Sequence, residues 1–176
     1  THIYSNTEDD NRFKNNIKHD KLIFEYCDVT DSGRVYELVD GYKPDEIYNL
    51  AAMSHVKYSF DHPASVAETN YISVIYWLEA IRKLSPHTRF YQASTSEMFG
   101  NNKNPDGFRN EDTPLCARSP YGVSKIAAHN IVRNYREAYN LFCCSGILFN
   151  HEGCFRGEKF VTRKITKSAA SIKLGL

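Results

Sequence analysis

Residues 89–97, RFYQASTSE, and residues 119–125, SPYGVSK, decide the fold and the site that this sequence predicts. The first stretch is strand-like and ends in hydroxyl side chains and a carboxylate. In the second, Ser119 is a good helix N-cap and Pro120 suits the first helical position. Tyr121 and Lys125 therefore fall one turn apart on one face of a helix.

The Tyr121 and Lys125 pair is a candidate catalytic pair. A lysine ammonium beside a phenol favours the phenolate, so we expect Lys125 to lower the pKa of Tyr121 from its ordinary value of about 10. Such a phenol can serve as a general base. The alternative interpretation of this spacing is a solvated helix face, because the motif is common by chance. The strand that precedes it, ending in Ser94, Thr95, Ser96 and Glu97, favours catalysis.

Composition predicts one globular domain, or part of one, without a nucleic-acid or membrane surface. The 176 residues are 41% hydrophobic and 13% aromatic, which is enough for one sizeable core. The net charge of +1, with acids and bases interleaved, provides no basic stripe for nucleic acid and no polybasic membrane patch. No apolar run is long enough to span a bilayer and no signal-peptide pattern opens the chain, so we expect a cytoplasmic protein.

The cysteines indicate neither a disulfide framework nor a metal site. There are five, an odd number, and none has CxxC spacing. Cys143 and Cys144 adjoin within a probable strand, where we expect both to be small apolar fillers.

Strand-like and helix-like segments alternate along the chain after a polar opening at residues 7–20. We predict strands at residues 21–27, 46–52, 88–94 and 141–149, and helices beginning near Asp31 and covering residues 63–84, 120–140 and 160–174. Residues 100–118 read as a long surface loop. This alternation implies an α/β fold with a doubly wound parallel sheet.

Three segments together resemble the extended short-chain dehydrogenase/reductases and, more narrowly, the GDP-mannose 4,6-dehydratase family. They are residues 48–56 (YNLAAMSHV), residues 90–97, and residues 146–152 (GILFNHE) followed by Arg156-Gly157 and residues 160–165. Related nucleotide-sugar epimerases and dTDP-glucose dehydratases differ after Asn150. The resemblance implies a Rossmann-type cofactor domain. It also implies an enzyme that converts GDP-mannose to GDP-4-dehydro-6-deoxy-mannose by internal hydride transfer through bound NADP, with NAD not excluded.

The resemblance also implies roles for residues of this chain. Tyr121 would take the proton from the sugar 4-hydroxyl, and Lys125 would hold the nicotinamide ribose. Glu97 would remove the proton from C5 and help water leave C6, while Thr95 would hydrogen-bond the 4-oxygen. The expected cofactor contacts are Asp28, Val29, Leu50, Ala51, Ala52, Met53, Ser54, Tyr121, Lys125, His151 and Arg156. Asn150 and Lys164 would hold the substrate diphosphate, and no metal is expected.

Several departures from the family pattern accompany the resemblance. Gly153-Cys154-Phe155 stands where the family usually has Ser-Pro-Arg, and Ser65 stands where it has a tyrosine. The family's first strand, Gly-rich turn and C-terminal substrate domain are not in this sequence. We therefore expect residues 1–176 to be a partial cofactor domain, with residues 150–176 entering the substrate region, and expect no complete cofactor site.

Other functions stay open at this point. One is another nucleotide-sugar epimerase or dehydratase, although Glu97 after Thr95-Ser96 argues against an epimerase, which eliminates no water. Another is a non-catalytic truncated fragment. For the complete protein, the resemblance implies a homo-oligomer, a dimer or a tetramer.

Overall fold

The computed structural model describes residues 22–153, 156–158 and 160–176. Three parts of the sequence discussed above lie outside these residues. They are the polar opening at residues 7–20, the first residue of the predicted strand (Lys21), and Cys154 and Phe155 of the segment that departs from the family pattern.

Three parallel strands form the sheet of the described chain, in the order β1 (Glu46–Asn49), β2 (Arg89–Thr95) and β3 (Cys143–Leu148). The register places Asn49 opposite Gln92 and Thr95 opposite Leu148. The parallel α/β class predicted from the sequence is confirmed, and the sheet is incomplete, as expected.

Helices α1 (Ser32–Tyr42), α2 (Val56–Asp61), α3 (Pro63–Ala67), α4 (Ser73–Leu84), α5 (Pro120–Tyr139) and α6 (Val161–Leu174) connect and follow the strands. A π-helical turn at Glu68–Ile72 joins α3 to α4, and a 3₁₀-helix at Ser96–Phe99 follows β2. The helix predicted at residues 63–84 is therefore present, interrupted by the π turn. Asn140 ends α5 in the left-handed conformation, as predicted.

The core lies between one face of the sheet and a layer made by α1, α4 and α5. Its buried side chains include Val39, Leu78, Phe90, Ala128 and Val132. The other face of the sheet carries Tyr48 and Tyr91, whose rings lie 5.8 Å apart. Tyr48 is 63% exposed, so in the described chain this face is open where a doubly wound sheet would be covered.

The prediction of a strand at residues 21–27 is wrong for residues 22–27. These residues have no regular secondary structure and pair with no strand of the described chain. The Arg34 side chain on α1 instead donates to the Tyr26 carbonyl at 2.9 Å and pairs with Glu25 at 2.7 Å. A strand needs a neighbouring ladder for its backbone groups, and here a side chain supplies the hydrogen bond.

The two adjoining cysteines, Cys143 and Cys144, differ in burial. Cys143 is buried and its thiol donates to the Val132 carbonyl at 3.2 Å, which confirms its predicted role as a filler. Cys144 points to the open face and is exposed, so that half of the prediction is wrong. The period of two along a strand separates the two side chains.

Candidate active site

The carboxyl ends of the three parallel strands meet at one edge of the sheet, where ligands of such folds bind. Thr95 ends β2, and the predicted cofactor residues 50–54 directly follow β1. The Phe99 and Phe149 rings, 6.2 Å apart, bring the 3₁₀-helix next to the chain that leaves β3.

Helix α5 begins at this edge, as its sequence predicts. The Ser119 hydroxyl accepts a hydrogen bond from the Gly122 N–H at 3.1 Å, and Pro120 occupies the first turn. Tyr121 and Lys125 follow one turn apart with only 8% and 2% of their surfaces exposed. The alternative of a solvated helix face is therefore excluded.

Lys125 is a buried cation with a neutral partner. Its Nζ donates to the Ala93 carbonyl of β2 at 2.9 Å, and burial lowers its pKa to about 8. An ammonium has three N–H donors, and the described chain offers an acceptor for one of them. The remaining donors are available to a ligand.

The expectation that Lys125 lowers the pKa of Tyr121 is wrong for this structure. Burial raises the Tyr121 pKa, the nearby Glu97 carboxylate raises it further, and only the Thr95 hydroxyl lowers it. Lys125 is not among these influences, and its ammonium is bound to the Ala93 carbonyl. Desolvation of the phenolate therefore outweighs the helix-face pairing that the sequence suggested.

Thr95 and Glu97 complete a cluster with Tyr121. The Thr95 hydroxyl accepts from the Glu97 N–H at 3.3 Å and is the group that stabilises the Tyr121 phenolate. Glu97 is exposed at the edge, and its carbonyl lies against Gly122 of α5. The structure thus brings together the four residues predicted to be catalytic.

Asn70 holds the predicted cofactor loop in place. It lies buried in the π turn, its Oδ1 accepts from the Met53 N–H at 2.8 Å, and its Nδ2 donates to the Met53 carbonyl at 3.2 Å and to the Ser124 hydroxyl at 3.1 Å. Sequence reasoning missed Asn70 and Ser124. No local signal marked them, because Asn70 follows the polar Glu68 and Thr69 and proved to lie in a π-helical turn.

Ser65, the departure from the family tyrosine, also contacts this loop. Its hydroxyl lies 3.7 Å from the Met53 sulfur. A small side chain therefore supports Met53 at a place where a phenol was expected.

Three of the predicted cofactor residues, Val29, Leu50 and Ala51, line one groove of about 690 Å³. The groove runs between residues 22–29 and the free edge of β1, with Trp77 among its lining residues. Asp28 is exposed nearby, and its carboxylate accepts from the Thr30 N–H and hydroxyl at 2.9 and 2.8 Å. Ala52 and Ser54 continue the loop toward α2.

The four residues after β3 that were predicted to bind cofactor or substrate make no described polar contact with the catalytic cluster. Asn150 and Lys164 are exposed, the His151 ring bonds the Phe149 carbonyl at 2.9 Å, and Arg156 lies 3.3 Å from Glu152. The Arg156 guanidinium also stacks on the Phe160 ring at 3.6 Å. Within the described residues, no hydrogen bond or ion pair joins these four side chains to Tyr121 or Lys125.

A known protein family matches almost the whole chain. The family model described as GDP-mannose 4,6 dehydratase matches residues 2–176. The chain belongs to the GDP-mannose 4,6 dehydratase family. The GDP-mannose 4,6 dehydratase of Drosophila melanogaster is 50% identical over 157 residues, covering 88% of this chain and 39% of the relative. That of Vibrio cholerae is 46% identical over 177 residues, covering 99% and 45%.

A solved structure supports the same fold. The dTDP-glucose 4,6-dehydratase of Bacillus anthracis str. Ames, in complex with NAD, has a TM-score of 0.79 and 25% identity, covering 92% of this chain and 48% of that chain. The chain thus spans less than half the length of these GDP-mannose 4,6 dehydratase family members and of this structure.

Two other kinds of site are absent from the described residues. No helix among them is long and apolar enough to cross a membrane. No group of three or more His, Cys, Asp or Glu side chains within the same residues could hold a metal ion.

Proposed function

We propose that the complete protein containing this chain is a nucleotide-sugar dehydratase that converts GDP-mannose to GDP-4-dehydro-6-deoxy-mannose with bound NADP. The observation that carries the proposal is the cluster of Thr95, Glu97, Tyr121 and Lys125 at the carboxyl edge of β2, in a chain of this family. Each side chain suits one step of an internally redox-neutral elimination.

The cluster can move protons at defined atoms. In this proposal the Tyr121 Oη takes the proton of the sugar 4-hydroxyl, and the neighbouring Thr95 hydroxyl donates to the developing oxyanion. Glu97 is exposed at the edge and can accept the C5 proton once the 4-keto group has acidified it. Because burial holds the Tyr121 phenol protonated, its role as a base requires a second stabilising group.

Lys125 is the candidate for that group. Its pKa of about 8 keeps it mainly cationic at neutral pH, and its spare donors can reach a ligand hydroxyl. Lys125 would hold the nicotinamide ribose of a dinucleotide, and Asp28 and Val29 would meet the adenine. The loop at residues 50–54, which Asn70 holds, would pass under the ribose and diphosphate. When bound, the nicotinamide supplies the acceptor and later the donor of the sugar's hydride.

The substrate contacts belong to the same proposal. Asn150 and Lys164 would hold the substrate diphosphate, since an amide and a point charge suit phosphate oxygens, and His151 and Arg156 would meet the cofactor. A homo-oligomeric state, dimer or tetramer, and a cytoplasmic location are proposed for the complete protein from the resemblance.

Two substitutions in the complete protein test the roles. Tyr121→Phe should abolish turnover of GDP-mannose while NADPH, followed by its fluorescence, still binds. Glu97→Gln should slow dehydration by about 10²-fold, the usual scale of acid–base losses, while a transient rise in reduced-cofactor absorbance persists on adding substrate. Glu111→Gln, an exposed carboxylate of the loop, is the matched control and should leave both steps unchanged.

The outcomes also separate the rival functions. Turnover of Tyr121→Phe within tenfold of the wild type would remove Tyr121 from its role. A 4-epimer as the product would indicate an epimerase, and an inactive complete wild-type protein would indicate a non-catalytic member of the family.

A further inference from the structure

A pair of buried side-chain amides is hydrogen-bonded to the Ala93 carbonyl that binds Lys125. Asn49 at the end of β1 donates from Nδ2 to Gln92 Oε1 of β2 at 2.8 Å. Gln92 donates from Nε2 to the Ala93 carbonyl at 3.2 Å, and this is the carbonyl that accepts from Lys125 Nζ at 2.9 Å. Gln92 is fully buried and Asn49 is 5% exposed.

The direction of this chain of hydrogen bonds is fixed by its last acceptor. A carbonyl oxygen can only accept, so the Gln92 atom that faces Ala93 must be its NH₂ group. The Gln92 oxygen therefore faces Asn49, which must present its own NH₂ group. The parallel register, with Asn49 directly opposite Gln92, holds the two amides in this orientation.

We propose that Gln92, oriented by Asn49, is a positioning residue for Lys125, because its amide shares the Ala93 carbonyl with the lysine ammonium. The shared carbonyl is a weaker acceptor for Lys125. When the ammonium moves away to bind a ligand, the Ala93 carbonyl keeps its hydrogen bond from Gln92. The movement therefore leaves no buried carbonyl unpaired. The role of Gln92 in cofactor binding rests on the proposed function, whereas its effect on Lys125 does not.

Other charged groups do not account for the state of Lys125. Tyr121 and His129 lie one turn away on α5, and Glu97 lies on the neighbouring 3₁₀-helix. The Lys125 pKa is lowered by burial alone. No charged group therefore contributes to the shift, and the contact that substitution can remove is geometric: the Gln92 NH₂ group and the Lys125 ammonium donate to the same carbonyl oxygen.

The test uses the complete protein with ¹³C-labelled lysine, and Lys125→Met assigns the Lys125 Cε signal. Gln92→Met removes the competing donor at similar volume, and Asn49→Leu removes the group that orients Gln92. Thr88→Val is the matched control, because Thr88 is a buried hydroxyl that donates to the Pro44 carbonyl at 2.5 Å just before the opposite end of β2. NADPH affinity is measured on the wild-type protein and on Gln92→Met, Asn49→Leu and Thr88→Val.

Gln92→Met should raise the Lys125 titration midpoint by about half a pH unit and weaken NADPH binding about tenfold, because the lysine then holds Ala93 more tightly. Asn49→Leu should shift both in the same directions by less, and Thr88→Val should shift neither. The proposal is overturned if folded Gln92→Met and Asn49→Leu both keep the wild-type midpoint. If the wild-type protein has no dehydratase activity, the proposed function fails, while the titration still decides the role of Gln92.

Discussion

Lys125 carries an electrostatic cost that the fold offsets elsewhere. Its folded-state pKa is about 8 against an ordinary value of 10.5, so below pH 8 it is charged in both the folded and the unfolded chain. The shift corresponds to about 3 kcal/mol of lost stability. A buried cation kept at that cost is typical of a functional site rather than of packing.

Lys125→Met should therefore stabilise the protein at pH 7, by about 1–3 kcal/mol in urea unfolding. As the pH rises from about 8 to about 10.5, the unfolded chain holds the lysine proton and the folded chain does not. Wild-type stability should rise over this window and the advantage of the variant should vanish. Lys103→Met, an exposed loop lysine, should change stability by less than about 0.5 kcal/mol at every pH.

A Lys125→Met variant that is less stable than the wild type at pH 7 would contradict this account. It would mean that the hydrogen bond to Ala93 outweighs the desolvation of the charge.

Among the secondary-structure elements, the start of α5 depends on a close approach to the 3₁₀-helix. A Cβ added at Gly122 would lie 2.7 Å from the Ala117 Cβ and 3.1 Å from the Glu97 carbonyl oxygen. The first turn of α5, and Tyr121 with it, can reach the cluster because residue 122 has no side chain.

Gly122→Ala should accordingly destabilise the protein by about 1–3 kcal/mol, the range for overpacking a core. Gly41→Ala in α1 is the matched control, because a Cβ there meets no atom within 4 Å. Alanine at position 41 should instead stabilise the helix by about 0.5–1 kcal/mol. Urea unfolding of both variants measures the difference, and equal effects at the two positions would refute the close-packing argument.

The elements that sequence predicted are those whose signals are local. Asp31, the Ser119-Pro120 pair and Asn140 mark helix ends by their own chemistry, and each does so in the structure. The strand expected at residues 22–27 failed because pairing depends on a neighbour elsewhere in the chain. The π turn around Asn70 and the anchoring of Lys125 on Ala93 also depend on contacts distant in sequence, which no local pattern contains.

At the scale of the whole molecule, the described residues leave the sheet with an open edge and an open face. The groove lies along the outer edge of β1, where Leu50 is 63% exposed, and Trp77 Nε1 is buried beside it without a hydrogen-bond partner in the described chain. Helix α6 has no buried residue and exposes Val161, Ile165 and Ile172. Unpaired strand edges and exposed apolar faces of this kind promote association.

Residues 1–176 expressed by themselves should therefore self-associate at micromolar concentration, and should bind neither NADP nor GDP-mannose with micromolar affinity. Light scattering after gel filtration measures the first property and calorimetric titration the second. Tyr48→Lys and Leu50→Lys place charges on the open face and beside the edge and should reduce association without loss of circular dichroism signal. Phe108→Lys, at a loop position that is more exposed than either, should not reduce it. A monomer that binds NADP tightly would show that the open edge and face are closed in another way, and that the groove is a complete binding site.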